Sequence, residues 1–426
     1  MEGNILQKIK RHGIAGSIQV VGLHAATAFN NKWFYYYKKH RPMDEHLIVM
    51  ESEGDLSDNA FALYDYMRHN NYLKKYHVAW LVDHVDEARA LQQKSPEDFP
   101  NTEFVQKVPQ KVNRRWAEVL STCKWYIYDH CNLLAPLMKR ENQKVIYLCH
   151  GFAGYKASKG GSVNDKKIKT HDDYINVTGS IPEKVLHLYK KELYGARIVQ
   201  LGFSRLDYFY CNNTEARSAF DQHYKLSKYN KVFLWMPTFR QSINKSISED
   251  YQNNETKLPL FYSLNSLKEF NDYLKKINSL VILKIHHLQK NERVFSEEYS
   301  NMLFVSDENI NKMGFQLYQL IPLTDALITD YSSISADYML LNKPMIFILD
   351  DYEQYNKSRG IIPDNAKELW TGDQVYTINE LINAMNDIVS GKDKYKDKRN
   401  KLLPRFYKYV DGNSSNRILD YYDIRL

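Results

Sequence analysis

Short apolar runs of strand length alternate with helical stretches from about residue 46 onwards. In the first half of the chain these runs are Leu47–Met50, Val78–Val82, Trp125–Tyr128 and Val145–Leu148. Stretches with a helical pattern, such as Asp58–Asn70 and Asn113–Ser121, lie between them. This alternation is typical of a parallel sheet whose strands are joined by crossover helices.

A second set of strand-like runs follows residue 230. Its members are Val232–Met236, Leu280–Ile285, Leu303–Val305, Ala326–Thr329 and Met345–Leu349. Before and within this set, Ala216–Asn230 predicts a polar helix and Asn244–Lys257 predicts a long polar loop. The chain therefore predicts two α/β domains that face each other, 43–210 and 211–400. Residues 401–426 are expected to form a tail that packs back across both domains.

The first 42 residues differ from the rest and predict a basic amphipathic segment that associates with a membrane. Seven basic residues stand against one acid, Glu2, in the first 41 positions. One helical face carries apolar side chains and an aromatic run begins at Trp33; the residues expected to meet the membrane are Ile14, Ile18, Val21, Phe29 and Trp33. Polar residues within the segment argue against a transmembrane helix, and an interfacial helix fits better. The alternative is an ordinary core helix of the first domain.

Composition narrows the class of protein. Hydrophobic residues make up 43% and charged residues 26%, which is ordinary for a globular chain and excludes collagen-like and disordered proteins. The net charge of +7 suits an anionic substrate or an anionic membrane surface. No nucleic-acid-binding motif is present, so nucleic acid is not an expected partner. Four cysteines without a CxxC pair argue against structural zinc and for a cytosolic setting.

Residues suited to phosphate chemistry follow several predicted strands of the second half. They are Thr238 and Arg240, then His286, and then Asp330, Ser332 and Ser333. Arginine binds phosphate with two parallel hydrogen bonds, and hydroxyls beside the N-terminus of the predicted helix Ile334–Leu341 suit a phosphate site. Ligands of such sheets bind beyond the carboxyl ends of the strands. The alternative for Asp330, Ser332 or Ser333 is a simple helix cap.

The first half offers a histidine at a strand end. His150 and Gly151 follow Val145–Leu148, and a lysine-rich loop that includes Lys156 and Lys159 comes next. Such a histidine can point into the cleft between two domains, and the lysines can attract a polyanion. The alternatives are a structural histidine and a solvated surface loop.

Six short segments along the chain are distinctive. They are His150-Gly151 with Lys156, Gly202-Phe203-Ser204-Arg205-Leu206-Asp207, Pro237-Thr238-Phe239-Arg240, Lys284-Ile285-His286-His287-Leu288, Leu327-Ile328-Thr329-Asp330-Tyr331-Ser332-Ser333 with Asp337 and Lys343-Pro344, and Arg359-Gly360. With these segments the chain resembles the CDP-glycerol:poly(glycerophosphate) glycerophosphotransferase family, which builds teichoic acids and related polymers. The resemblance runs from about Leu47 to Asn386. Phe152-Ala153 stands where the family has Thr-Pro, and Ser204 and His287 each replace a proline.

The resemblance implies a fold of the GT-B type, with two facing Rossmann-like domains, and a bacterial enzyme. The implied reaction transfers a polyol phosphate, glycerol phosphate first, from CDP-glycerol or CDP-ribitol to a hydroxyl of a lipid-linked polyanionic acceptor, and releases CMP. His150 is the implied base, and His286 holds or protonates the pyrophosphate. Arg240, Ser332 and Ser333 bind phosphate oxygens, and Thr238 and Asp330 shape their site.

The family resemblance also implies a place in the cell, the cytoplasmic face of the membrane, where the enzyme is peripheral. No metal ligand set or cofactor is predicted. One alternative is a GT-B glycosyltransferase that uses a nucleotide sugar for a surface polysaccharide. Another is a membrane scaffold of wall-polymer assembly without catalytic activity.

Overall fold

Two parallel β-sheets form the framework of the protein. A computed structural model describes residues 26, 28–52, 54–107, 111–130, 139–151, 155, 173–189, 195–238, 254–284, 297–358 and 360–426. The strands of the first sheet are β1 Asp44–Glu51, β2 His77–Val82, β3 Thr102–Gln106, β4 Cys123–Tyr128, β5 Lys144–Tyr147, β6 Tyr174–Val177 and β7 Arg197–Gln200. They lie in the order β3-β2-β1-β4-β5-β6-β7.

The second sheet repeats the same arrangement with six strands. They are β8 Lys231–Trp235, β9 Ser279–Lys284, β10 Met302–Val305, β11 Ala326–Thr329, β12 Met345–Ile348 and β13 Asp373–Val375. Their order is β10-β9-β8-β11-β12-β13. In both sheets the order reverses beside the first strand of the set, which is the doubly wound Rossmann topology. The prediction of two parallel α/β domains is confirmed.

Helices cover the faces of both sheets. Those of the first half are 28–40, Asp58–His69, Val85–Lys94, Arg114–Thr122 and Ser180–Tyr189. Those that follow are Thr214–Tyr224, Leu264–Lys276, Asp307–Lys312, Leu317–Leu320, Ile334–Tyr338, Tyr352–Ser358, Ala366–Leu369, Ile378–Val389, Lys396–Phe406 and Ser414–Tyr421. Polar side chains fix several of their starts; for example, Thr377 and Glu380 form a reciprocal capping box.

The nine predicted apolar runs all correspond to strands: five lie entirely within a strand, and four match a strand in all but their last residue. Four further strands were missed. The missed strands are Thr102–Gln106, Tyr174–Val177, Arg197–Gln200 and Asp373–Val375. Each has three to five residues, and a polar or charged side chain starts or ends it, so no apolar run marks it. The predicted loop Asn244–Lys257 lies mostly outside the described residues.

The helix 28–40 lies against the first domain with one face. Phe34 is buried in the core formed with β1 and the helix Arg114–Thr122, and the side-chain amide of Asn30 donates to the carbonyl of Lys111 at 3.2 Å. The guanidinium of Arg114 stacks 4.1 Å from the ring of Trp33. Phe29 lies on the other face and is 53% exposed.

The rest of the N-terminal segment, with Ile14, Ile18 and Val21, lies outside the described residues. Of the helices in the described part of the chain, none carries an apolar stretch long enough to cross a bilayer.

The two domains share one hydrophobic core, and the C-terminal residues contribute to it. This core joins Phe203 and Leu206 of the first half to Tyr331 of the second half and to Phe406. Beyond Phe406 the chain returns to the first sheet, where the helix Ser414–Tyr421 packs on the helix Asp58–His69 and buries apolar side chains. The continuous core holds the carboxyl ends of the two sheets in a defined relative position.

Candidate active site

The loops at the carboxyl ends of both sheets meet between the two domains. In the first domain the strand order reverses between β1 and β4, and in the second between β8 and β11. Crevices at such reversals are the usual ligand sites of doubly wound sheets. Asp58 follows β1, and Thr238 and Asp330 follow β8 and β11, so the site is built at both reversals.

His150 follows β5 on a tightly bent backbone. Cys149 before it has φ of +62°, and Gly151 after it has φ of +142°. The second value is open to glycine and scarcely to other residues. A non-glycine residue stays in the left-handed region only where the surrounding structure holds it there, and such residues are frequent at functional sites. The imidazole of His150 is 54% exposed, so a substrate can reach it.

Asp58 holds the imidazole of His150. Its Oδ2 accepts a hydrogen bond from Nδ1 of His150. Asp58 opens the helix Asp58–His69 with φ of +56° and its side chain is only 9% exposed. The next residue, Asn59, donates its side-chain amide to the carbonyl of Cys149 at 2.7 Å. Two adjacent residues thus fix both the ring and the backbone of the His150 turn.

Arg205 binds the carboxylate oxygen of Asp58 that does not contact His150. Its Nη1 donates a hydrogen bond to Oδ1 of Asp58 and one of 2.8 Å to the carbonyl of His150. Its Nη2 reaches into the second domain and donates to Oδ2 of Asp337 at 2.8 Å. The guanidinium, 4% exposed, is therefore a buried link between one carboxylate of each domain.

The charges of this cluster keep Asp58 ionised. Burial alone would raise the pKa of Asp58, but the positive charges of Arg205 and His150, and their hydrogen bonds, outweigh burial and lower the pKa to about 2. Burial would likewise lower the pKa of Arg205, and the neighbouring carboxylates raise it well above its ordinary value.

Two tyrosines complete the second-domain side of the cluster. The hydroxyl of Tyr318 donates to Oδ2 of Asp337 at 2.5 Å, and that of Tyr407 donates to Oδ1 at 2.8 Å. Burial, followed by the charge of Asp337, raises the pKa of Tyr407 well above its ordinary value, so it remains a donor. Asp337 accepts three hydrogen bonds and is fixed in place.

Thr238 and Asp330 join the loops that follow β8 and β11. The backbone N–H of Thr238 donates to Oδ2 of Asp330 at 2.8 Å, and its hydroxyl donates to Oδ1 at 2.5 Å. Both residues are buried. These hydrogen bonds tie the loop that follows β8 to the loop that follows β11.

The turn with Ser332 and Ser333 faces the His150 turn across the cleft. Both serines are half-buried, and a Cβ placed on Gly151 would lie 3.4 Å from Oγ of Ser333 and 3.0 Å from Nη2 of Arg205. The helix that begins at Ile334 ends at Tyr338 and a 3-10 turn, Met339–Leu341, follows. So short a helix has a weak dipole, and the hydroxyls are the groups of this turn most suited to a phosphate.

The structure describes five of the nine predicted catalytic, donor-site and acceptor-loop residues, and all five lie in the loops that follow β5, β8 and β11. They are His150, Thr238, Asp330, Ser332 and Ser333. Arg240, His286, Lys156 and Lys159 lie outside the described residues. In the described ranges no group of three histidine, cysteine or acidic side chains is placed to hold a metal ion.

Sequence reasoning missed the role of Asp58 and left Arg205 and Asp337 without a function. Arg205 and Asp337 lie in recognisable motifs, so a signal was present. Asp58 lies 92 positions before His150 and has only the pattern of a residue that starts a helix. Asp207 of the Arg205 motif has another role: its carboxylate accepts from the N–H groups of Ser414 and Ser415 and caps the last long helix.

Two Rossmann-like domains with a histidine–carboxylate pair on one side of the cleft and a hydroxyl-bearing turn on the other define a transferase of the GT-B type. The sequence model of the family described as CDP-Glycerol:Poly(glycerophosphate) glycerophosphotransferase matches residues 33–422. The chain belongs to this family of enzymes, which confirms the resemblance found in its motifs.

Curated relatives are enzymes of teichoic acid synthesis. The teichoic acid ribitol-phosphate primase of Bacillus spizizenii is 28% identical over 323 residues, which cover 71% of this chain and 75% of the primase. The teichoic acid glycerol-phosphate primase of Bacillus subtilis is 25% identical, with 76% and 80% covered. The chain spans 45% to 64% of the length of three ribitol-phosphate polymerases that it also matches.

A solved structure has the same fold. The wall teichoic acid polymerase TagF superposes with a TM-score of 0.70 at 21% identity, and the match covers 100% of this chain and 98% of that chain. The GT-B-like arrangement of the two domains is thereby confirmed.

Proposed function

We propose that the protein transfers a polyol phosphate from a CDP-polyol to a hydroxyl group of a lipid-linked or polymeric acceptor in teichoic acid synthesis. The observation that carries the proposal is the approach of the two turns across the cleft, with Gly151 beside Ser333. The turn that carries the histidine of one domain thus lies against a hydroxyl at a strand end of the other domain.

In the proposed reaction the acceptor oxygen attacks the β-phosphorus of the donor. His150 takes the proton of that hydroxyl as the new P–O bond forms, a role that positioned histidines perform in general base catalysis. The bond from the β-phosphorus to the bridging oxygen breaks, and CMP leaves. Ser332, Ser333 and Arg240 hold the phosphate oxygens, and His286 supplies a proton or a hydrogen bond to the leaving group.

CDP-glycerol is the first proposed donor, since the family is defined by it, and CDP-ribitol is the second. The ribitol-phosphate primase at 28% identity supports the second donor, and the glycerol-phosphate primase at 25% supports the first. The acceptor is proposed to be a lipid-linked polyanion, which the lysines of the loop with Lys156 and Lys159 would attract. No metal or organic cofactor is part of the proposal.

The proposed site of action is the cytoplasmic face of the cell membrane, with the protein bound peripherally. The exposed face of the helix 28–40 supports this location. Phe29, Tyr35 and Tyr36 are about half exposed there, and Lys32 and Lys39 are exposed beside them. Aromatic rings and basic side chains together suit the headgroup region of an anionic bilayer.

The test is to incubate the purified protein with a lipid-linked acceptor and either CDP-glycerol or CDP-ribitol, and to follow CMP release and phosphorus in the product. We expect CMP release and a phosphorus-containing product with one of the two donors. A phosphorus-free product made from a nucleotide sugar would identify a glycosyltransferase instead. No turnover of any donor would favour a scaffold and overturn the proposal.

The variant His150→Ala tests the base. We expect turnover to fall by about two to four orders of magnitude, the usual contribution of a general base, with donor affinity nearly unchanged because His150 lies on the first domain. His187→Ala is the control, since this histidine is exposed on a helix of the same domain. Near-normal turnover of His150→Ala would remove His150 from the mechanism.

A further inference from the structure

We propose that Asp58 is a positioning residue that sets both the tautomer and the basicity of His150. The proposal rests on the proposed function for the reaction that the base serves. The contact that carries it is the hydrogen bond between Nδ1 of His150 and Oδ2 of Asp58.

The direction of this hydrogen bond follows from the chemistry of the two groups. An ionised carboxylate has no proton to donate, so Nδ1 of His150 must carry the hydrogen. In the neutral imidazole the basic lone pair then belongs to Nε2. Asp58 thereby selects Nε2 as the atom that takes the proton of the acceptor hydroxyl, as the aspartate does in serine hydrolase triads.

The structure holds Asp58 in the state that this role requires. Arg205 donates to its other oxygen, Oδ1, and also to the carbonyl of His150. The side-chain oxygen of Asn59 accepts from the backbone N–H of Arg205 at 3.2 Å, and its amide binds the carbonyl of Cys149. The carboxylate and the backbone of the His150 turn therefore belong to one hydrogen-bond network.

Other titratable and polar groups lie near the imidazole. The ring of His130, which follows β4, lies edge-on at 5.9 Å between centroids. Asp129 accepts from the backbone N–H of Ala60 at 2.8 Å and is directed into the helix start. From the second domain, Ser333 approaches Gly151, and Asp337 reaches the turn through Arg205.

Asp58→Asn tests the role through activity and its pH dependence. The amide of asparagine can donate to Nδ1, which moves the imidazole hydrogen to Nε2 and blocks the base. We expect kcat to fall about 10² to 10⁴-fold. A carboxylate stabilises the imidazolium, so its loss lowers the pKa of the base. The acid limb of the kcat/KM profile should therefore move to lower pH by about one unit or more.

Glu103→Gln is the matched control. Glu103 also pairs with an imidazole, Nε2 of His77 at 2.9 Å, but at the start of β2 and so at the opposite end of the sheet. This variant should keep both kcat and the acid limb. A fall in kcat for Asp58→Asn without a shift of the acid limb would show a merely structural role and overturn the proposal.

Nitrogen NMR of the wild-type protein with labelled histidine gives a second readout that needs neither activity nor a folded Asp58 variant. The His150→Gln variant identifies the signal. We expect the neutral ring of His150 to carry its hydrogen on Nδ1; a hydrogen on Nε2 would overturn the proposal. If the wild-type protein releases no CMP, the proposed function fails, and the tautomer of His150 still decides this inference.

Discussion

Arg205 is a buried cation that pairs with two carboxylates of the site. It is buried between Asp58 of the first domain and Asp337 of the second. Its planar guanidinium donates from two nitrogens at once, which the single ammonium of lysine cannot reproduce. One side chain therefore joins the His150 turn of the first domain to the helix that follows the Ser332–Ser333 turn of the second. Loss of this side chain should affect stability as well as activity.

Arg205→Ala should lower the free energy of unfolding by about 3–5 kcal/mol, because it leaves two buried carboxylates without their cation. Urea denaturation measures the change. Arg115→Ala is the control: Arg115 also pairs with two carboxylates, Glu103 and Glu118, but its side chain is 47% exposed, and exposed pairs contribute about 0–1 kcal/mol. Equal losses for the two variants would contradict the assignment of Arg205 as a buried link.

At the scale of elements, the turns after the strands hold the chemistry, and one prediction belongs to the turn after β11. Replacing Ser332 and Ser333 together with alanine should weaken CDP-polyol binding, because each lost hydrogen bond to a charged phosphate oxygen costs about 1.5–3 kcal/mol. Calorimetry with CDP-glycerol and CDP-ribitol measures the loss. Ser390→Ala, an exposed hydroxyl in the same domain that binds the carbonyl of Asp387, should leave affinity unchanged. Unchanged affinity in the double variant would place the phosphate site elsewhere.

The helices and strands also show which parts of the fold can be predicted from the sequence. Strands with an uninterrupted apolar run, such as Ala326–Thr329, can be predicted from the sequence because both faces of a parallel sheet are buried. Thr102–Gln106 and Asp373–Val375 cannot, since they are edge strands with polar side chains. Local motifs likewise led to the prediction of His150 and the serine turn. The pairing of His150 with Asp58 depends on how β1 and β5 are placed in the sheet, and no local pattern reports that.

The whole molecule combines two domains that share a hydrophobic core with a helix that has two different faces. Phe34 of the helix 28–40 belongs to the core of the first domain, which the amphipathic pattern did not indicate. The opposite face exposes Phe29, Tyr35 and Tyr36. The segment is thus both a part of the first domain and a candidate membrane contact, so removing residues 1–41 entirely would also open the core. Substitution of exposed side chains is the sharper test.

We expect the protein to co-sediment with anionic vesicles and replacement of Phe29, Tyr35 and Tyr36 by serine to weaken this, with donor binding unchanged. Replacing Lys32 and Lys39 by glutamine should cost about 1 kcal/mol per charge and reduce the sensitivity to salt. A matched triple replacement by serine at Leu91, Leu188 and Tyr376, which are similarly exposed on other helices and loops, should leave sedimentation intact. Because the buried face of the helix is untouched in every variant, a loss confined to the first two sets would assign the contact to this surface. Full sedimentation of the aromatic variant would instead leave the helix 28–40 as a core element of the first domain.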